Sequence, residues 1–310
     1  MRNRYRREMA TGVALLGVLA VLLIFAPGFY SVGNMRDLLL KNAGALVCAV
    51  GMTLVIVAGH IDISIGAQFA ICSVVAGVLA REGAPLAVAA VAGPLAGAAM
   101  GALNGLLVAR WGMPSIIVTL ATMSFFSNTL RWLTQGAWVQ NLPAWFQWAG
   151  LGQTLGQIGI MSSSILVFAV CAFGLQNVYG GRALVATGSD AETARLMGMP
   201  TRWIIFSAFT LMGILTGVAA FLNAIRFNEV PVNPDNGLEL RVIAAVVVGG
   251  ASITGGRATM FGTVLGVVLL GIIGTALTFL GVNPFWEKAI QGAIILIAGV
   301  SAWKGPRAIR

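Results

Sequence analysis

Charge is scarce in this sequence. Asp, Glu, Lys and Arg make up 9% of its 310 residues, whereas 58% are hydrophobic, and the mean hydropathy is +0.91. A soluble protein of this length needs far more polar surface, so the composition indicates an integral membrane protein. Histidine is nearly absent, with His60 alone, and cysteine occurs only at Cys48, Cys72 and Cys171. All three cysteines lie in apolar stretches and read as small hydrophobes, so neither a disulfide framework nor a transition-metal site is expected. No Gly-x-x-x-x-Gly-Lys-Ser/Thr run occurs, which excludes an ATP-binding loop of that kind, and no cofactor is expected. The stretch "GASITGG" around Ser252 is a poor match to a nucleophile motif and has no histidine-bearing partner segment, so a membrane-embedded enzyme lacks a catalytic set.

Apolar runs of about 17–25 residues recur from end to end, which fits helical spans rather than a barrel of alternating strands. The sequence therefore predicts an all-α, polytopic transmembrane helical bundle forming a single domain over 1–310. About ten spans are expected, over 11–30, 43–58, 63–80, 85–109, 115–133, 159–176, 203–222, 241–256, 258–280 and 286–303. Broken or re-entrant segments are expected near 59–66 and 249–257, where polar or Gly-rich residues interrupt the apolar pattern. The first apolar run follows a basic head but lacks a small-x-small cleavage site, so it reads as an uncleaved span. The 40 glycines suit close helix packing in lipid.

Basic residues exceed acidic ones by 19 to 10, a net charge of +9. They flank the apolar spans, where they act as orientation signals, so they do not point to nucleic acid. With both termini cytoplasmic, that side holds twelve of the 19 basic residues, Arg2, Arg4, Lys304, Arg307 and Arg310 among them. Two long connections remain. The outer one, 134–158, is rich in Trp, Gln and Gly; Trp138, Trp145 and Trp148 form either an interfacial belt or part of an outer mouth. The inner one, 177–202, is too polar to span, and "SDAETARLMG" reads as a short helix capped by Ser189 or Asp190.

The stretch "GHIDISIGAQ", 59–68, puts Asp62 at membrane depth. An unpaired charge at the bilayer centre costs about 2.5–3.5 kcal/mol on insertion scales. Two roles fit: Asp62, with Ser64 and Gly66, forms a capped helix break, or Asp62 is a ligand for the hydroxyl groups of a substrate. The remaining polar residues in spans, Asn104, Thr119, Thr122 and Asn128, are candidates either for interhelical hydrogen bonds or for a weak substrate pathway.

Four segments carry a resemblance. "VIVAGHIDISIGAQFAICSVVAG" looks like the Gly-Gly-Ile-Asp-Leu-Ser-Val-Gly segment of ribose-type ABC sugar-importer permeases. "GALNGLLVARWGMPSIIVTLATM", "GRALVATGSDAETARLMGM" and "VIAAVVVGGASITGGRATMFGTVLG" resemble further segments of the same family, in the same order. His60 stands where the family usually has Gly. The loop "GAWVQNLPAWFQW" looks closer to permeases grouped with rhamnose uptake.

The resemblance implies an inner-membrane permease subunit for a monosaccharide, not itself an enzyme. It implies as partners a cytoplasmic ATP-binding-cassette ATPase, an extracytoplasmic sugar-binding protein, a second permease copy or sister permease, and membrane lipid. It also makes 177–202 the coupling segment, with Glu192, Ala194, Arg195 and Gly198 as the residues that meet the ATPase. The alternative is a secondary transporter or channel working without an ATPase. That reading would call for repeated halves or ionisable pairs inside spans, and the sequence offers neither.

Overall fold

The structure is a computed structural model that describes residues 6–232, 237–283 and 285–302. Arg2, Arg4, Lys304, Arg307 and Arg310, which enter the orientation argument, lie outside the described residues. Helices α1 (Arg6–Phe25), α2 (Val32–Val57), α3 (Ile65–Arg81), α4 (Leu86–Trp111), α5 (Ser115–Thr134) and α6 (Gln153–Asn177) form the first part of the bundle. Helices α7 (Tyr179–Ser189) and α8 (Ala191–Leu196) lie in the polar connection. Then follow α9 (Thr201–Ala224), α10 (Leu238–Val248), α11 (Met260–Phe279) and α12 (Trp286–Ala302). Among the described residues no strand forms; the one isolated β-bridge joins Val139 to Val230.

Helix starts follow local chemistry. Pro85, Pro114 and Pro200 each stand immediately before a helix, where a missing N–H costs nothing and φ is already set. Gly112 ends α4 in the left-handed region, with φ of 69°, and accounts for the sharp turn into α5.

α2 is the central post, buried along its whole second half from Val47 to Val57. α4 and α9 form the tightest seam. Gly93, Gly97, Gly101 and Gly105 recur every fourth residue on α4 and meet Phe206, Phe209, Gly213 and Gly217 of α9. The two backbones touch there: a Cβ on Gly97 would overlap the Gly213 carbonyl, and a Cβ on Gly213 would overlap the Gly97 carbonyl. In lipid the hydrophobic effect does not drive helices together, so this close packing of small residues supplies the association. A second seam sets Gly249 against Gly262 and Gly266 against Ala245.

The expected span count is not reached by length and apolarity. Among the described residues six helices are long and apolar enough to cross a membrane: α1 over Glu8–Phe25, α2, α4, α6, α9 and α11. The expected span at 241–256 is instead the 11-residue α10, about 16 Å long, against a hydrocarbon core of about 30 Å. α3 and α12 have 17 residues each. α5 has 20 residues but carries more polar side chains than the six. Both expected breaks are present: the chain leaves α2 at Val57 and re-enters helix at Ile65, and leaves α10 at Val248 and re-enters helix at Met260.

Candidate functional site

The first break is held by a buried polar knot. Asp62 Oδ1 accepts the Ser64 backbone N–H at 2.9 Å and the Ser64 hydroxyl at 2.6 Å, and Oδ2 accepts the Gln68 amide at 3.1 Å. The Ser64 hydroxyl in turn accepts from Gln68 at 2.7 Å and from Asn104 of α4 at 2.8 Å. Asp62, Ser64, Gln68 and Asn104 are all fully buried. Asp62 thus braces the turn that leads into α3, and the N-cap position itself falls to Ser64, whose side chain makes no capping bond. Ser115, at the start of α5, accepts the Ile61 N–H at 3.3 Å and ties a third helix to the break. Gly66 lies in the first turn of α3 with Glu239 packed against its Cα.

This knot takes Asn104 away from the residues with which the sequence groups it. Thr119 and Thr122 are buried and bond carbonyls of their own helix, Ser115 O at 2.9 Å and Thr119 O at 3.3 Å. Asn128 is exposed, bonded to Ser124 O at 2.8 Å. The four residues do not form one cluster: Asn104 is inside the knot, the threonines face inward, and Asn128 faces outward. Gln68 is the member of the knot that sequence reasoning missed; its i, i+4 spacing from Ser64 was the available signal.

The knot predicts a graded mutational response. Asp62→Asn keeps an acceptor for both Ser64 donors, and Gln68 can turn its unpartnered Oε1 toward the new amide. We expect Asp62→Asn to insert, fold and transport near the parent level. Asp62→Leu removes the acceptor of three buried hydrogen bonds, from the Ser64 N–H, the Ser64 hydroxyl and the Gln68 amide, at about 1–3 kcal/mol for each donor left unsatisfied, and should sharply reduce detergent-stable protein. Normal insertion of Asp62→Asn with no transport would instead make the carboxylate a substrate ligand.

The second break meets the first. The Gly256 N–H donates to the Val57 carbonyl at 2.9 Å. Gly188, near the end of α7, lies so close that a Cβ there would collide with the same carbonyl. Gly59, with φ of 85°, lies against Gly188 and Gly255, and Gly256 lies against Ser189. Backbone from both breaks and from α7 therefore meets at one junction, with the small Ser189 side chain against Gly256.

α8 projects from this junction. Asp190 caps it, accepting the Glu192 and Thr193 N–H groups at 3.0 Å each, so of the two expected caps Asp190 is the one in place. The Thr193 and Glu192 bonds hold the Asp190 carboxyl below its ordinary range. Glu192 and Arg195 pair with each other at 2.7 Å on the exposed face. Ala194 is buried, so it packs inward and is not presented to a partner. Leu196 and Met197, absent from the expected set, are 78% and 74% exposed. Gly198 has φ of 82° and open space where a Cβ would stand.

At the opposite end two loops are zipped together. Val139 and Val230 exchange both backbone hydrogen bonds, at 3.0 and 2.9 Å, and the Trp148 N–H donates to Ile225 O at 2.6 Å. The Trp-rich connection is thus bound to the segment after α9. Trp138 and Trp145 remain exposed, as an interfacial belt requires.

Among the described residues no cluster of His, Cys, Asp or Glu could hold a metal ion. The geometry is therefore that of a membrane bundle with two helix breaks coupled to a protruding capped helix. Residues 34–299 match the family described as "branched-chain amino acid transport system / permease component". The chain is 38% identical over 291 residues to the probable ABC transporter permease protein YphD of Escherichia coli K12, covering 92% of this chain and 87% of that one. It is 35% identical over 286 residues to the L-arabinose ABC transporter permease protein AraH of Azospirillum brasilense, covering 92% and 84%. It is 30% identical over 299 residues to the ribose import permease protein RbsC of Escherichia coli K12, covering 94% and 92%. No solved structure matches the chain. The match over most of the chain bears out the resemblance drawn from four short segments: the chain belongs to the branched-chain amino acid transport system / permease component family of ABC transporter permeases.

Proposed function

We propose that the chain is the translocating subunit of an importer that carries a monosaccharide across the inner membrane, with both termini cytoplasmic. The observation that carries this reading is the mechanical link between α8 and the two breaks. A cytoplasmic ATPase docks on α8 through the exposed Leu196 and Met197, flanked by the Glu192–Arg195 pair. Gly198 lets the chain turn directly behind that face, and Ala194 anchors α8 to the bundle. Motion of α8 passes along α7 to the Gly188 junction and from there to the ends of α2 and α10.

The second permease copy, identical or sister, covers α5. Ser124, Asn128 and Arg131 recur on one exposed face of that helix. Such residues do not face lipid tails and are expected to line a shared aqueous path or a protein interface. Asn128 is thus kept as a pathway residue, with Thr119 and Thr122 shaping the same helix from behind. A binding protein delivers sugar to the zipped outer loops. The Trp-rich loop is the one sequence feature that points to a particular sugar, rhamnose.

The docking assignment is tested by Gly198→Arg and Met197→Glu. Both variants should reach the membrane in normal amounts but fail to co-purify with the ATPase. Gly198→Asn, which tolerates left-handed backbone, should retain the partner. Normal co-purification and uptake by well-expressed Gly198→Arg would remove α8 from the coupling role.

A further inference from the structure

A cavity of about 520 Å³ opens beneath the zipped loops, between α2, α3, α9 and α10. That size is within the range of small-molecule sites. Its charge is unusual for a chain with so few ionisable residues: among the described residues that line it, Lys41, Arg226 and Arg241 stand against the acid Glu229. Arg226 is held in place from several sides. Its Nη1 donates to the Leu40 carbonyl at 3.3 Å, and its guanidinium lies 5.2 Å from the centre of the Phe227 ring. Its Nε is buried with no partner among the described residues. Burial works against the Arg226 charge while Asp37, one helical turn before Lys41, works for it. Arg241 is buried and donates to Asn42, and Lys41 is exposed at the mouth.

A partly buried cation at a cavity wall is costly unless an opposite charge approaches it. A cleft dominated by one sign of charge also concentrates ligands of the opposite sign. The rest of the lining suits a sugar ring. Phe69 and Phe227 offer apolar faces, and Ser73 and Asn223 offer hydroxyl and amide partners.

We infer that this cavity is a sugar-receiving site that selects a monosaccharide bearing a carboxylate, with Arg226 and Lys41 taking the carboxylate and the two phenylalanines taking the ring. The inference rests on the importer reading above and names the substrate class for it. It departs from the pointer given by the Trp-rich loop, since rhamnose is neutral. The carboxylate would meet the part of the Arg226 guanidinium that lines the cavity, at the end of the bundle where a binding protein would release its cargo.

The test is equilibrium binding of radiolabelled galacturonate and of rhamnose to the purified full chain in phosphatidylcholine nanodiscs. Galacturonate should bind saturably and at least about tenfold more tightly than rhamnose. Arg226→Gln should weaken it about tenfold, with Lys41→Gln, at an exposed position where folding is not at risk, weakening it in the same direction. Adding phosphatidylglycerol to the nanodisc should leave binding unchanged. Equal binding of the two sugars, or galacturonate binding that survives both substitutions, would overturn the inference. Displacement by phosphatidylglycerol would assign the cavity to a lipid headgroup and overturn it equally. The assay contains no ATPase, so its failure leaves the importer reading in place. That reading fails separately if the complete importer accumulates no sugar of either kind on ATP.

Discussion

Gly188→Ala is expected to stop transport while leaving the chain in the membrane. The new methyl group falls inside the van der Waals shell of the Val57 carbonyl oxygen, and the nearest atoms around it are backbone. No side chain can swing away, so α7 must retreat or the end of α2 must shift. Either movement disturbs the Gly256 N–H bond to Val57, which joins the two breaks. Forced overpacking of this kind costs about 1–3 kcal/mol, and in a moving part that strain is felt in the step that moves. A drop in ATP-driven uptake of at least about tenfold is therefore expected, with smaller losses of folded protein. Gly180→Ala, on the same helix, is the matched control: nothing lies within 4 Å of a Cβ there. Uptake rates of the two variants, normalised to the amount of each in the membrane, check this directly. Equal uptake would mean that the junction does not carry motion.

Gly213→Leu should have the larger effect on folding. Gly213 is where α9 touches α4, and even one methyl group overlaps the Gly97 carbonyl. A leucine drives the two helices apart along a seam that continues through Gly93, Gly101, Gly105 and Gly217. Because lipid offers no hydrophobic penalty for separated helices, lost packing there has no substitute. We expect Gly213→Leu to be nearly absent after detergent extraction and size-exclusion chromatography, with Gly213→Ala in between. Gly17→Ala on α1, where a Cβ meets nothing within 4 Å, should behave as the parent. Recovery of Gly213→Leu as a monodisperse protein would contradict the seam.

These results depend on features that differ in how far the sequence shows them. The two breaks are legible because "GHIDISIG" and "GGASITGG" put glycine and polar residues where an apolar helix would otherwise run on. The length of α10 is not legible, since "VIAAVVVGG" stays apolar until the glycines and gives no sign of where the backbone leaves the helix. α7 is hidden for the opposite reason: "YGGRALVATGS" contains three glycines that read as a loop, although one of them is there because only glycine fits against Val57. The seam glycines of α4 stand at a plain four-residue spacing that Gly213 and Gly217 repeat on α9, but these partners are more than a hundred positions away and the sequence does not say which helix meets which. Asn104 is misgrouped on the same grounds. Its polarity within a span is visible, whereas its bond to Ser64 is a product of helix packing. Ala194 resembles a docking residue by position, yet its side chain is turned inward and the exposed apolar pair follows it.

The central claim is that this chain moves sugar only when worked from outside by an ATPase. The most direct measurement is uptake by the purified chain in proteoliposomes, first alone under proton and sodium gradients, then with its ATPase, its binding protein and ATP. The account predicts no sugar accumulation by the chain alone under any gradient, and accumulation once all three are present. Gradient-driven accumulation by the chain alone would contradict it and would mark the protein as a secondary transporter.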